Sequence, residues 1–259
     1  MDGFERVEAP VEEIPAIAVT GTLYGVGMGP GDPELLTVKA QRILMRAPVL
    51  VHFCKRGRRG NARTIADAIL RDPAREMPLA YPYTTEIHPE HPDYVAALAA
   101  FYDDAAGQLA DHLGAGRDVA ILSEGDPFFY GSFMHLWRRL KDRFPVEVVP
   151  GVTGMSGCWT RAGTPITWGD DILTVLPATL PLDALTERLR GTDAAVLMKL
   201  GRHLPKVRAA LTAAGLLNRA VYVERGTMAG ERVVMLADKV DDEAPYFSMV
   251  LLPGEGRRP

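Results

Sequence analysis

Short apolar runs alternate with longer amphipathic stretches along most of the chain. Leu23–Gly27, Val49–Phe53, Val119–Ser123 and Val146–Val149 are brief and largely apolar, as strands buried on both faces are. Between them, Pro33–Arg46, Ala62–Leu70, Asp93–Leu113 and Gly131–Arg143 carry the spacing and punctuation of helices. Asp32 stands as a cap before Pro33, which suits a first helical turn.

The pattern changes across residues 151–171, where Gly, Thr, Ser and Pro surround one short helical candidate beginning near Thr153. Beyond it, Ile172–Leu176, Ala194–Leu200 and Ala220–Glu224 read as strands, separated by helices at 181–190 and 204–214. Arg232–Leu236 and Phe247–Leu252 follow with no helix-length insert between them, which predicts antiparallel strands. The expected fold class is therefore α/β, with two α/β domains: a mainly parallel sheet in 21–151 and a mixed sheet in 171–253. A loosely ordered lead (1–20), a joining segment with a short helix (152–170) and a tail (254–259) complete the division.

Composition narrows the class. The chain has 259 residues, 47% of them hydrophobic, enough for a globular core. Its apolar runs are strand-sized, far short of the roughly 20 residues that cross a bilayer, so no membrane partner is expected. Asp2, Glu5, Glu8, Glu12 and Glu13 occupy the region where a signal peptide would be basic and then apolar. Cys54 and Cys158 lie far apart, without the paired spacing of a zinc site. No metal and a cytoplasmic setting are the expectations. A net charge of −4 disfavours nucleic acid, and the dense basic cluster Lys55, Arg56, Arg58, Arg59 and Arg63 lacks interleaved aromatics.

Three turns carry candidate chemistry. Leu23-Tyr-Gly-Val-Gly-Met-Gly-Pro-Gly-Asp-Pro33 joins a strand to a helix through four glycines, which allow sharp turning and close approach to a ligand. It is not a dinucleotide fingerprint, because Pro30 breaks the glycine spacing and no acid ends the next strand. Nor is it a P-loop, since Asp32 and Pro33 stand where Lys and Ser or Thr are required. Ser123-Glu-Gly-Asp-Pro-Phe-Phe-Tyr-Gly-Ser132 and Val149-Pro-Gly-Val-Thr-Gly-Met-Ser-Gly157 again follow apolar strands. In a parallel sheet such turns share one edge and converge on a single site.

In this order and spacing, the three motifs resemble those of the tetrapyrrole methyltransferases that use S-adenosylmethionine, and the likeness runs from Thr22 to Pro253. Phe144-Pro-Val-Glu-Val-Val-Pro-Gly-Val-Thr153 and Thr164-Pro-Ile-Thr-Trp-Gly-Asp-Asp171 most resemble the branch acting on carbon 20 of precorrin-2 in cobalamin synthesis. The resemblance implies two domains, a methyl donor in the cleft between them, and a homodimer. By motif it implies donor binding at Pro30, Glu124, Gly125, Asp126, Phe129, Thr153, Gly154, Met198 and Gly226. Gly154 departs from the Ser or Ala common in the family, and Trp168 stands where uroporphyrinogen relatives carry a basic residue.

Methyl transfer from a sulfonium needs alignment more than a metal or a triad. Glu124, Asp126 and Tyr130 are placed to accept or relay a proton, and no spacing singles one out. A macrocycle ringed with carboxylates calls for cationic donors, so Lys55, Arg56, Arg58, Arg59 and Arg63 are the expected substrate contacts.

Overall fold

The computed structural model describes residues 19–70, 72, 75–83 and 91–256. Most of the expected lead and the last three residues of the tail lie outside them. The first half contains β1 (Leu23–Gly27), α1 (Val38–Arg46), β2 (Val49–Lys55), α2 (Asn61–Ile65), β3 (Glu76–Tyr81), α3 (Pro92–Gly114), β4 (Val119–Ser123), α4 (Phe133–Leu140) and β5 (Val146–Val149). The second contains α5 (Gly154–Arg161), β6 (Leu173–Pro177), α6 (Leu182–Arg190), β7 (Ala194–Met198), α7 (Leu204–Ala213), β8 (Val221–Glu224), β9 (Arg232–Met235) and β10 (Ser248–Leu252).

The first sheet has the order β3-β2-β4-β1-β5 and every pairing in it is parallel. Both faces are covered, which is why its central strands read as apolar runs rather than alternating ones. Leu23, Val51, Val119 and Ile121 pack with α3 and α4, while Val26, Leu50, Ala120 and Leu122 pack with α1 and α2. The helix expected over Pro33–Arg46 is split. Pro33–Leu35 form a single 3-10 turn capped by Asp32, and α1 starts only after Thr37, whose hydroxyl accepts from the Ala40 N–H at 3.1 Å.

The second sheet has the order β6-β7-β10-β8-β9. The strand alternation is clear in β7: Ala195 and Leu197 face α6 and α7, whereas Val196 faces Cys158, Met155 and Trp159 of α5. The helix of the joining segment is thus packed into the core of the second sheet. Both final strands are antiparallel to their sheet neighbours, as expected for a mixed sheet. They are not paired with each other, however: β10 inserts between β7 and β8, and β9 takes the edge.

Candidate functional site between the two sheets

The turns after β1, β4 and β5 meet because these three strands are adjacent and parallel. Their backbones touch. Gly29 and Gly125 exchange N–H to carbonyl bonds, the stronger at 2.9 Å. A Cβ on Gly27 would lie 2.5 Å from the Gly151 nitrogen and 2.8 Å from the Gly125 carbonyl oxygen, so only glycine permits this crossing. The Asp126 carboxylate completes the junction, accepting from the N–H of Phe128 at 2.9 Å and from that of Gly151 at 3.1 Å. Both of its oxygens therefore hold backbone, which makes Asp126 a shaping residue first.

The second domain closes on these turns from the ends of β7 and β8. Thr227 Oγ1 lies 3.4 Å from the Asp32 N–H, and a Cβ on Gly31 would collide with Met228. The Lys199 ammonium sits 4.8 Å from the centre of the Tyr130 ring, within the range of cation–π attraction. Tyr130, Lys199, Arg225 and Thr227 all have φ between 49° and 69°. They are the non-glycine residues with positive φ among those described, and Tyr130, Lys199 and Thr227 make the contacts between the two halves, where backbone strain commonly marks function.

The expected site residues fall into distinct environments. Pro30 is buried, with its ring so close to α5 that a Cβ on Gly157 would come within 2.6 Å of it; its ring packs the cleft floor. Gly125, Thr153 and Gly154 are neighbours, and the Thr153 hydroxyl caps α5 by accepting from Ser156 N–H at 3.3 Å. Phe129 meets Tyr130 edge-on at 5.0 Å. Met198 ends β7 half-buried, and Gly226 packs on Cys158. Pro30, Gly125, Thr153, Gly154 and Gly226 are gathered around the turns and α5, whereas Phe129 and Met198 adjoin them through their chain neighbours Tyr130 and Lys199.

Glu124 differs from the rest. Burial raises the pKa of its carboxyl, partly offset by hydrogen bonds from the Asn61 side chain and the Ala62 backbone. The Tyr246 phenol is pushed up to about 12, chiefly by the Glu124 carboxylate. Burial is the lesser cause, in keeping with a ring that is 78% exposed. Tyr246 and Thr227 escaped the sequence reading, since each is a lone polar residue whose opposite neighbour lies more than a hundred positions away.

The basic cluster divides. Lys55, Arg56, Arg58 and Arg59 are exposed after β2, but Arg59 is paired with Asp67 at 2.6 Å. Arg63 does not fit the expected role of substrate contact. Its side chain is buried, donating to Glu76 at 2.6 Å and to Asp67 at 2.7 Å. The Arg63 guanidinium holds the Glu76 carboxyl below its ordinary range, and burial lowers the pKa of adjacent His52. Lys55, Arg56 and Arg58 stand exposed beside this buried network.

A separate recess of about 570 Å³ opens in the second domain among Arg202, Glu224, Arg225, Arg232 and Asp241. None of the three glycine turns lines it. Among the described residues no group of three or more His, Cys, Asp or Glu is placed to hold a metal ion, and no helix is long and apolar enough to cross a membrane.

Residues 22–240 match the family model of the tetrapyrrole (corrin/porphyrin) methylases. The chain is 57% identical to precorrin-2 C(20)-methyltransferase from Sinorhizobium sp., over 92% of this chain and 98% of that one. It is 31% identical to cobalt-precorrin-2 C(20)-methyltransferase from Salmonella typhimurium, over 90% and 97% respectively. Among solved structures, uroporphyrin-III C-methyl transferase from Thermus thermophilus complexed with S-adenyl homocysteine superposes with a TM-score of 0.63 at 26% identity, covering 91% of this chain and 98% of that one. A cobalt precorrin-4 methyltransferase shares the fold at a TM-score of 0.69 and 24% identity, with coverage of 92% and 96%.

Proposed function

Because the chain belongs to the tetrapyrrole (corrin/porphyrin) methylases, we propose that it transfers a methyl group from S-adenosylmethionine to carbon 20 of precorrin-2, giving precorrin-3A on the route to cobalamin. The observation that carries this reading is the convergence of three glycine turns on one cleft, in a chain 57% identical to a precorrin-2 C(20)-methyltransferase. The residues suit such a donor. Backbone crowded at Gly27, Gly125 and Gly151 leaves turns without side chains, and Phe129 and Met198 supply apolar contact.

The donor supplies an activated methyl carbon, so the protein's work is alignment and exclusion of water. The turn at Glu124, Gly125 and Asp126, with Thr153 and Gly154 beside it, orients the donor through backbone groups. Pro30 supports the turn from below, while Met198 and Gly226 bound it from the second domain. Lys55, Arg56 and Arg58 meet the carboxylates at the rim of the macrocycle, with Arg59 contributing from its pair with Asp67. The reading extends to a homodimer in the cytoplasm. Family likeness supports the dimer, and two unpaired buried cysteines are in keeping with a reducing compartment.

A second reading is the same reaction on the cobalt-bearing substrate, favoured by the Salmonella relative at 31% identity. The higher identity to the metal-free counterpart places precorrin-2 first. Incubation with carbon-labelled donor and either macrocycle, followed by carbon NMR, separates the two. Label at carbon 20 of precorrin-2 is expected, and label on neither macrocycle would refute both.

A further inference from the structure

Thr227, in the turn that joins β8 to β9, is a β-branched residue at φ 69°, a conformation that such residues rarely adopt. Three segments hold it there. Its N–H donates to Glu231 Oε2 at 2.8 Å, its hydroxyl oxygen accepts from the Asp32 N–H of the first turn at 3.4 Å, and its methyl faces α5. A Cβ on Gly157 would stand 3.2 Å from that methyl and 2.6 Å from the Pro30 ring, so Thr227 and Pro30 press on one spot of α5. Glu231 is itself fixed. Both of its carboxylate oxygens accept from Arg161 Nε of α5, at 2.9 and 2.7 Å. Backbone strain persists only where the surroundings over-determine it, and these contacts tie the strained turn to the first domain and to α5 together.

Resting on the methyl-transfer reading above, we propose that Thr227 is a positioning residue for the methyl donor and that Glu231, oriented by Arg161, is the clamp that keeps it in place. Two residues that the family motifs point to as donor contacts adjoin it: Pro30 shares its patch of α5, and Gly226 precedes it in the chain and packs on Cys158. One side chain therefore sets the spacing between the first turn and the end of β8. With that spacing fixed beforehand, the donor enters a formed site, and the cost of ordering the turn does not fall on the binding step. Transfer gains from the same fixity. A misplacement of about 1 Å is enough to slow an aligned reaction about 100-fold.

The test titrates S-adenosylmethionine by calorimetry into wild type, Thr227→Gly, Glu231→Gln, Glu231→Ala and the double variant Thr227→Gly with Glu231→Ala, and measures melting temperature and kcat on precorrin-2 for each. Glycine adopts positive φ without strain, so Thr227→Gly should melt close to wild type. Donor affinity should nevertheless fall about 10-fold, because the loosened turn has to order on binding. At saturating donor kcat should fall as well, with KM for precorrin-2 little changed. Glu231→Gln keeps a carbonyl acceptor for the Thr227 N–H and should retain most of the donor affinity, whereas Glu231→Ala should lose as much as Thr227→Gly. In the double variant the two losses should not add, since both act through one turn. Overturning results are a Thr227→Gly enzyme with wild-type donor affinity and kcat, losses that only follow a fall in melting temperature, a Glu231→Gln enzyme as impaired as Glu231→Ala, or additive losses in the double variant. If wild type binds no S-adenosylmethionine, the methyl-transfer reading and the role of Thr227 fail together. If it binds the donor but places no methyl on carbon 20, the substrate assignment fails while the calorimetry still decides the role of Thr227.

Discussion

At the cleft, the first domain turns its chain largely on glycines, whereas the second holds Lys199, Arg225 and Thr227 at positive φ with their side chains attached. Glycine at Gly27, Gly125 and Gly151 brings three backbones into contact and leaves amide surface without side chains. The second domain gives up that closeness. Its strained residues each cost on the order of 1–3 kcal/mol, offset by contacts outside their own turns: Lys199 on Tyr130, Thr227 toward Asp32. The first half of the site is rigid by packing, and the second depends on its partner across the cleft.

The sharpest way to break the comparison is Gly151→Ala. The added methyl would overlap the Gly125 carbonyl and sit 2.9 Å from Gly27 Cα, and backbone on both sides cannot yield. A loss of about 4 kcal/mol or more is expected, in the range reserved for severe core defects, read as a fall in the urea midpoint together with lost donor binding.

The turn after β2 is held differently again, by buried charge. Arg63→Ala strands Glu76 beside His52 and should cost about 3–5 kcal/mol, whereas Arg58→Ala should stay within about 0.5 kcal/mol yet weaken tetrapyrrole binding. The pH dependence follows from both groups. His52 has a folded pKa below its ordinary 6.5, and Glu76 one below its ordinary 4.5. Each contributes stability that is present above the ordinary value and lost as pH falls through the folded one. Wild-type stability should therefore decline below pH 6.5 and again below pH 4.5. Arg63→Ala should flatten the lower decline, because Arg63 is the main cause of the Glu76 shift. Urea midpoints across this pH range would show whether the lower step survives in the variant.

Lys199→Gly should have a far smaller effect than Gly151→Ala or Arg63→Ala. Relief of a left-handed conformation offsets a lost cation–π contact of about 0.5–1 kcal/mol, leaving net stability within about 1 kcal/mol of wild type. The change should appear instead as weaker coupling of the domains, measured by faster amide exchange at Tyr130. Unchanged exchange there would mean that the two halves of the cleft are held independently.

Local signals were read well where they were uninterrupted. β1 and β4 coincide with their apolar runs at both ends, because central strands of a doubly covered sheet have no polar face to confuse them, and β5 does so too although it is an edge strand. β3 was missed because Pro78 interrupts Glu76–Tyr81, and proline argues against a strand unless that strand lies at an edge, as β3 does. The partner of β10 was equally out of reach, since its insertion between β7 and β8 is a choice among surfaces distant in sequence.

The glycine and proline turns, their order and the strands they follow are properties of the sequence alone, because backbone freedom and burial are encoded position by position. From them came the two-domain α/β fold, the likeness to tetrapyrrole methylases and the convergence of three turns. Which cations are free, and which acid faces which tyrosine, only the tertiary structure decided. Arg58 and Arg63 look alike in a basic run, and only folding places one in water and the other against Glu76. Glu124 and Asp126 differ for the same reason: burial raises the Glu124 carboxyl beside Asn61 and Ala62, whereas the Asp126 carboxylate holds the N–H groups of Phe128 and Gly151, and such neighbours come from segments brought together from far along the chain.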